Sequence, residues 1–332
     1  MRRLVKIALE KPELAGALLL VVLVILFQIR SEGVFLSTNN IRGMLGLLPE
    51  TALVALGVTL LMICGEFDLS VGSVFALMPM TMAVLFVGGW PFWPAMFAGL
   101  ALCALVGFIN GWITIRFDIP SFITTLGMLF MARSMTIVVS GGFPPRIRPG
   151  EVPSWLFVGF IDAGPDGGGL IRASVLWFAG IAIVLAVLLG RTNFGNWVRA
   201  TGGYLPAAKA MGIPTGRVKI ACFMICSVLA GFAGMIQSLR LNSFLPSIGE
   251  GMELQAVAAA VIGGTSLFGG VGSIVGGLIG ATLIRVIDNG MVMSQIDANW
   301  FKFAIGALTI GAVVGNAWLR QRGRKMKIEV EK

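Results

Sequence analysis

Apolar runs of about 20 residues recur along this chain, and each is long enough as a helix to cross a hydrocarbon core of about 30 Å. Lipid offers no hydrogen bonds to a backbone, so a chain of this kind must satisfy its own N–H and C=O groups within helices. Reading the runs between polar or Gly/Pro breaks gives spans near 14–29, 44–64, 72–88, 94–114, 121–139, 172–190, 220–240, 254–268, 272–288 and 300–318. The expected fold is an all-α polytopic membrane protein of about ten transmembrane helices. Some are broken or re-entrant: 254–268 is short, and its join to the next span, Gly269-Gly270-Val271-Gly272, is rich in breakers. Composition agrees, with 57% hydrophobic and 12% charged residues, against roughly 45–50% and about 25% in soluble domains.

Charge fixes the orientation. Most basic residues fall in three places: Arg2, Arg3, Lys6 and Lys11 before the first span; Arg191, Arg199, Lys209, Arg217 and Lys219 in one loop; and Arg320, Arg322, Arg324, Lys325, Lys327 and Lys332 at the end. The positive-inside rule places all three in the cytoplasm. The domain reading is therefore a cytoplasmic tail over 1–13, one transmembrane domain over 14–318 and a basic cytoplasmic tail over 319–332. A cytoplasmic loop over 191–219 and an external loop over 140–170 interrupt the domain. The opening Met1-Arg2-Arg3 and the run from Leu14 have the look of a secretory signal, but Gln28-Ile29-Arg30-Ser31-Glu32 lacks a small-residue cleavage pattern, so 14–29 is expected to be a retained span. The stretches Gly88 to Pro94 and Leu241 to Glu253 contain no Lys or Arg, as outside loops should. The external segment Ser140 to Leu170 reads equally as a surface for a delivery partner or as a solvated connector with a short interfacial helix.

Catalytic chemistry has little to stand on. The chain contains no His and no Gly-Lys dipeptide, which leaves no His-based triad or proton relay and no Walker A loop. Cys64, Cys103, Cys222 and Cys226 lie in apolar stretches and read as small apolar fillers, with no metal site expected. Net charge of +9 would raise nucleic-acid binding in a soluble protein, but its placement beside spans assigns it to topology, and no nucleic-acid partner is expected. Among intramembrane charges, Arg285 and Asp288 are spaced i, i+3 and should pair, leaving Arg133.

Three segments stand out. The run Cys64 to Ser73 sets Glu66 and Asp68 between two strongly apolar spans, where a charge costs roughly 2.5–3.5 kcal/mol at a helix centre and so needs a cavity, a partner or an interface. Asp68 is expected to cap the helix opening at Val71. In the basic loop, Ala200 to Pro214 reads as a stand-alone short helix, with Pro206 in its first turn, helix formers from Ala207 to Met211, and Gly212 and Pro214 ending it. Such a helix suits docking in a groove on another protein; a basic loop lying on anionic lipid is the plainer reading. Finally, Gly272, Gly276 and Gly280 are spaced four apart, a pattern that lets a second helix approach closely.

These segments resemble a known family, the permeases of ribose-type sugar ABC importers, related to the branched-chain amino-acid permeases. Gly65-Glu66-Phe67-Asp68-Leu69-Ser70-Val71-Gly72-Ser73 is similar to that family's Gly-Gly-Ile-Asp-Leu-Ser-Val-Gly-Ser. Residues Gly202 to Gly212 resemble its cytoplasmic coupling motif, and Ala256 to Gly270, with Gly263, Gly264, Thr265, Ser266, Gly269 and Gly270, resembles its Gly-Gly-Thr-Ser-Leu-x-Gly-Gly signature. Two departures are Glu66 in place of the second Gly, and Leu205-Pro206 where an Asn-Glu pair is common. The resemblance implies a non-catalytic subunit of the bacterial inner membrane that binds no cofactor itself. Cytoplasmic ABC ATPase subunits would use ATP and Mg and grip Gly203, Tyr204, Ala207, Ala208, Lys209, Gly212 and Ile213. A second permease subunit, identical or different, would complete the path, and a periplasmic binding protein would deliver a monosaccharide or polyol. It also implies path residues with polar groups or aromatic faces, for which Asp68, Ser70, Asn110, Ser121, Phe122 and Thr125 are the candidates. The alternative from another class is an ion-coupled secondary transporter of a small polar solute.

Overall fold

The computed structural model describes residues 13–148, 150–161, 169–297 and 299–330, with side chains to 315. The basic residues at 2–11 and 320–332, and Asp162 and Asp166 of the external loop, lie outside the described side chains. Every expected span is a helix. In chain order they are α1 (Glu13–Arg30), α2 (Thr38–Ile63), α3 (Val71–Val87), α4 (Phe92–Arg116), α5 (Ser121–Val139), a short α6 (Trp155–Val158) and α7 (Ala173–Arg191). There follow α8 (Asn193–Gly203), α9 (Leu205–Ala210), α10 (Thr215–Leu241), α11 (Met252–Ile262), α12 (Ile274–Met293) and α13 (Trp300–Val330). Seven of these are long and apolar enough to cross a bilayer, and α3, α11 and the described part of α13 are shorter apolar helices. The only extended pairing among the described residues is an isolated bridge from Phe160 to Arg172, which closes the external loop beside α6.

Helix α2 forms the axis of the bundle. From Pro49 to Ile63 all its residues are buried, including the polar Glu50, Thr51 and Thr59. A helix apolar on every side belongs inside a protein, and α10, α11, α12 and α7 surround this one. The N-terminal two-thirds of α3 is buried in the same way. By contrast α1, α5 and α7 bury one narrow stripe and turn Leu18, Phe130 and Val184 outward to lipid.

Close approach is made at small residues. A methyl group on Gly107 of α4 would sit 2.6 Å from the Phe223 carbonyl oxygen of α10. Gly276 and Gly280 of α12 lie against the carbonyls of Gly263 and Ala259. Gly272, expected on the same face, instead lies ahead of α12 in the irregular segment 263–273, against Ile63 and Thr265. The helix cannot begin earlier because Ser273 caps it, its hydroxyl accepting from the Gly276 N–H at 3.0 Å. The expected 254–268 span likewise ends early, at Ile262, where Gly264 takes a left-handed φ of 92°.

Candidate functional site

The segment between α2 and α3 is the polar heart of the bundle. Asp68 is fully buried, and its Oδ1 accepts from the Ser70 N–H at 2.7 Å and the Ser70 hydroxyl at 2.5 Å. Its Oδ2 lies 3.4 Å from the hydroxyl of Ser227, near the middle of α10. Asp68 thus closes an Asx turn onto Ser70, the residue that precedes the helix, and bonds none of the N–H groups of α3 itself. The expected capping of the first free N–H groups fails because Asp68 stands one residue too early to reach past Ser70.

Around this turn the structure gathers most of the expected path residues. Asn110 of α4 donates to the Ser70 hydroxyl at 3.0 Å. From α5, Ser121 accepts from the Phe67 N–H and Thr125 from the Leu69 N–H, both at 3.1 Å. The loop N–H groups left over by the break between helices are thereby satisfied in the apolar interior. Phe122 does not join them; it is 55% exposed on the outer side of α5. Two buried oxygens on α4 have no partner, Asn110 Oδ1 and Thr114 Oγ1. They stand one helical turn apart on one face, Asn110 in the Asp68 cluster and Thr114 in the wall of a pocket of about 300 Å³ that Glu66, Asp118, Lys209 and Lys219 also line.

Glu66 is not free. It forms an ion pair with Lys219 in the first turns of α10, so the unusual carboxylate of the turn is matched by a base on a helix distant in sequence. The sequence shows both charges but not their pairing, which spans 153 positions.

On one side, α8 and the irregular segment meet the turn through backbone. A Cβ on Gly269, whose φ is +80°, would lie 2.6 Å from the Gly202 carbonyl oxygen and 2.9 Å from the Gly65 Cα. The Gly270 N–H donates to the Ile63 carbonyl at 2.8 Å, and Arg199 donates to the Gly272 carbonyl at 3.1 Å. Ser266 holds this loop in shape: its hydroxyl accepts from the Phe268 N–H at 3.2 Å, and its own N–H donates to the Val271 carbonyl at 2.9 Å. Beyond Gly203 the short α9 stands out from the bundle. Tyr204 is 67% and Met211 81% exposed, as are Ala207, Lys209 and Gly212 less extremely, and Ala208 alone of these is buried. Pro206 lies in its first turn, and Gly212, at φ 75°, ends it as its residues dictate.

On the opposite side, Arg133 of α5 binds three carbonyls. It donates to Pro246 at 2.5 Å and Ile248 at 3.0 Å in the 242–251 loop, and to Gly72 at 3.1 Å at the start of α3. The residues flanking Asp68 are thus held on one side by glycine contacts and on the other by Arg133.

Sequence reasoning missed a second charged layer. Glu50, almost wholly buried in α2, binds Arg240 of α10 at 2.5 and 3.2 Å. Next to it Arg285 pairs with Asp288 at 2.9 Å, as its spacing required, and reaches Thr51 at 2.6 Å. The signal was available: Glu50 interrupts an apolar run, and an intramembrane carboxylate demands a partner. All four cysteines are free and buried; Cys103 fills the gap beside Gly231, and Cys226 that beside Gly57.

A helical bundle with an unwound, polar midsection and a short protruding helix has the build of a membrane permease. Residues 40–313 match the family model described as the branched-chain amino acid transport system, permease component, and the chain belongs to that family. It is 34% identical over 277 residues to the ribose import permease protein of Escherichia coli K12, covering 83% of this chain and 84% of that one. The xylose/arabinose import permease protein of Sulfolobus acidocaldarius is 30% identical over 314 residues, covering 92% and 85%. An autoinducer 2 import system permease protein of Yersinia pseudotuberculosis is 32% identical over 269 residues, covering 81% and 74%. No solved structure matches the chain. It is a multi-pass, non-catalytic permease of the inner membrane, of the group that serves ribose-type ABC importers.

Proposed function

We propose that this permease forms the translocation path of an ATP-driven importer for a monosaccharide or related polyol. An external binding protein delivers the solute, and a second permease subunit completes the path. The observation that carries this reading is the backbone contact of Gly202, Gly269 and Gly65, which joins the exposed α9 to the turn around Asp68 without intervening side chains. A motor gripping Tyr204 to Ile213 displaces α8 and α9, and rigid contact passes that displacement to the turn and to the 263–273 segment. Because Arg133 holds the other end of the turn, the two attachments can alternate in opening the polar cluster to either side.

The relatives' substrates support the solute class, and so does the chemistry of α4. The unpartnered oxygens of Asn110 and Thr114 are acceptors held ready in an apolar setting, where hydroxyl groups of a passing sugar can satisfy them. Pentose, hexose, polyol and furanosyl signal molecules all present such hydroxyls.

The test is reconstitution with the ATPase and binding protein. Cysteine at Ala207 should crosslink to the ATPase, bulky residues at Ala207 and Gly212 should abolish ATPase binding, and uptake should require ATP hydrolysis. Labelling of the Ala207→Cys variant from the external side alone would defeat the reading, as would uptake that persists without hydrolysis, the behaviour of an ion-coupled carrier.

A further inference from the structure

Helix α7 rests on α2 and stands off from α10, and the gap between them is an apolar groove of about 980 Å³. Its walls include Trp177, Gly180, Val184 and Leu188 of α7 and Ile225 and Leu229 of α10. From Ala173 to Leu188 the groove follows α7 for about 22 Å at 1.5 Å per residue, more than the roughly 15 Å that one leaflet of hydrocarbon occupies. The short α6 closes its external end, where Trp177 stacks on Phe157 at 5.8 Å and donates to the Leu156 carbonyl at 3.1 Å.

At that same end the groove is lined by Phe160, and two guanidinium groups lie over its ring. Arg42 of α2 and Arg172 at the start of α7 each sit 4.3 Å from the ring centroid. Arg172 donates one N–H to the Val158 carbonyl at 3.0 Å, and among the described residues neither arginine has a carboxylate in an ion pair. Among the described residues Glu50 is the carboxylate whose charge acts on Arg172, and it is bound by Arg240, whose own positive charge joins that of Arg42 in repelling Arg172. The result is a slot of one-leaflet depth or more with an apolar lining, and two cations stand just beyond its headgroup end, against the ring of Phe160.

We propose that this groove is a binding site for an anionic phospholipid of the external leaflet, its phosphate held by Arg42 and Arg172 and one acyl chain lying along α7. Charge complementarity selects the occupant. An apolar transmembrane helix of a partner would fill the slot but leave the two cations at its end without a counter-charge, whereas a phosphate on a lipid chain meets both needs. A basic residue near the membrane surface contributes about fivefold in affinity for an anionic lipid, so the pair should favour an anionic over a zwitterionic headgroup by roughly 25-fold.

The full-length permease in phosphatidylcholine vesicles, doped with brominated-chain phosphatidylglycerol or brominated-chain phosphatidylcholine, provides the test, because bromine quenches nearby tryptophan. Subtracting the signal of a Trp177→Phe variant isolates the groove. Trp177 should be quenched at much lower mole fractions of the brominated anionic lipid. The preference should fall about fivefold in Arg42→Gln and disappear in the Arg42→Gln, Arg172→Gln double variant. Gly180 faces open space, so Gly180→Phe should fold normally and exclude the chain, removing the quenching with both arginines intact. Equal quenching by the two lipids overturns the proposal, as does a preference that survives loss of both arginines. Trp177 untouched by either lipid overturns it too, by showing the groove closed by another copy or by the protein itself.

Discussion

Replacing Gly269 by alanine tests the proposed mechanical link directly. Gly269 has a φ of +80°, a conformation that costs an L-residue about 1–2 kcal/mol. The added methyl would also lie 2.6 Å from the Gly202 carbonyl oxygen and 2.9 Å from the Gly65 Cα. Both neighbours are backbone and cannot rotate away, so the segments must separate, and overpacking of this kind costs about 1–3 kcal/mol. The total of about 2–5 kcal/mol falls on the junction between α8 and the Asp68 turn, while the exposed surface of α9 is untouched. Gly89→Ala is the control: it carries the same backbone strain, at φ 94°, but meets nothing within 4 Å. The assay is solute imported per ATP hydrolysed in proteoliposomes with the ATPase and binding protein, alongside thermal stability. Gly269→Ala should still bind the ATPase and hydrolyse ATP, yet import at least tenfold less per ATP, and should melt below Gly89→Ala. Wild-type coupling and a melting point equal to the control would refute the claim that this contact transmits motion.

Further outcomes follow from the charges. Glu50→Ala leaves the partly buried Arg240 without its partner and should lower stability, by up to about 3 kcal/mol, read by thermal denaturation in detergent; replacing both with methionine should recover most of that loss. Lys219→Ala should destabilise by about 1–3 kcal/mol through the stranded Glu66, and the exchanged pair Glu66→Lys with Lys219→Glu should restore melting temperature if the contact itself matters. Asn110→Ala should weaken the Ser70 contact by about 1 kcal/mol and reduce solute flux with ATPase binding unchanged, measured in the same proteoliposomes. A cysteine at Met211, 81% exposed, should react with impermeant reagents from the cytoplasmic side only.

The helical spans and their order were legible in the chain because hydrogen-bond closure in lipid leaves a long apolar run little choice but helix. The short α9 was legible too, since Pro206 and Gly212 punctuate it whatever lies around it. The i, i+3 pair of Arg285 and Asp288 is likewise a property of local geometry. Boundaries at glycine-rich joins were less so. The 263–273 segment contains enough apolar residues to pass for helix, and its irregular path is set by contacts with Gly202 and Ile63, far away in sequence.

What the sequence determined alone is therefore the class of molecule, the order of its spans and the presence of a polar break between apolar spans, all of which follow from hydropathy and local backbone preference. What only the tertiary structure decided is which groups meet: Glu66 with Lys219, Glu50 with Arg240, Asp68 with Ser227, and Gly269 wedged between Gly202 and Gly65. In a bilayer apolar burial scarcely distinguishes one helix face from another, so register is chosen by close backbone approach and by the pairing of the few charges, and both depend on neighbours distant along the chain.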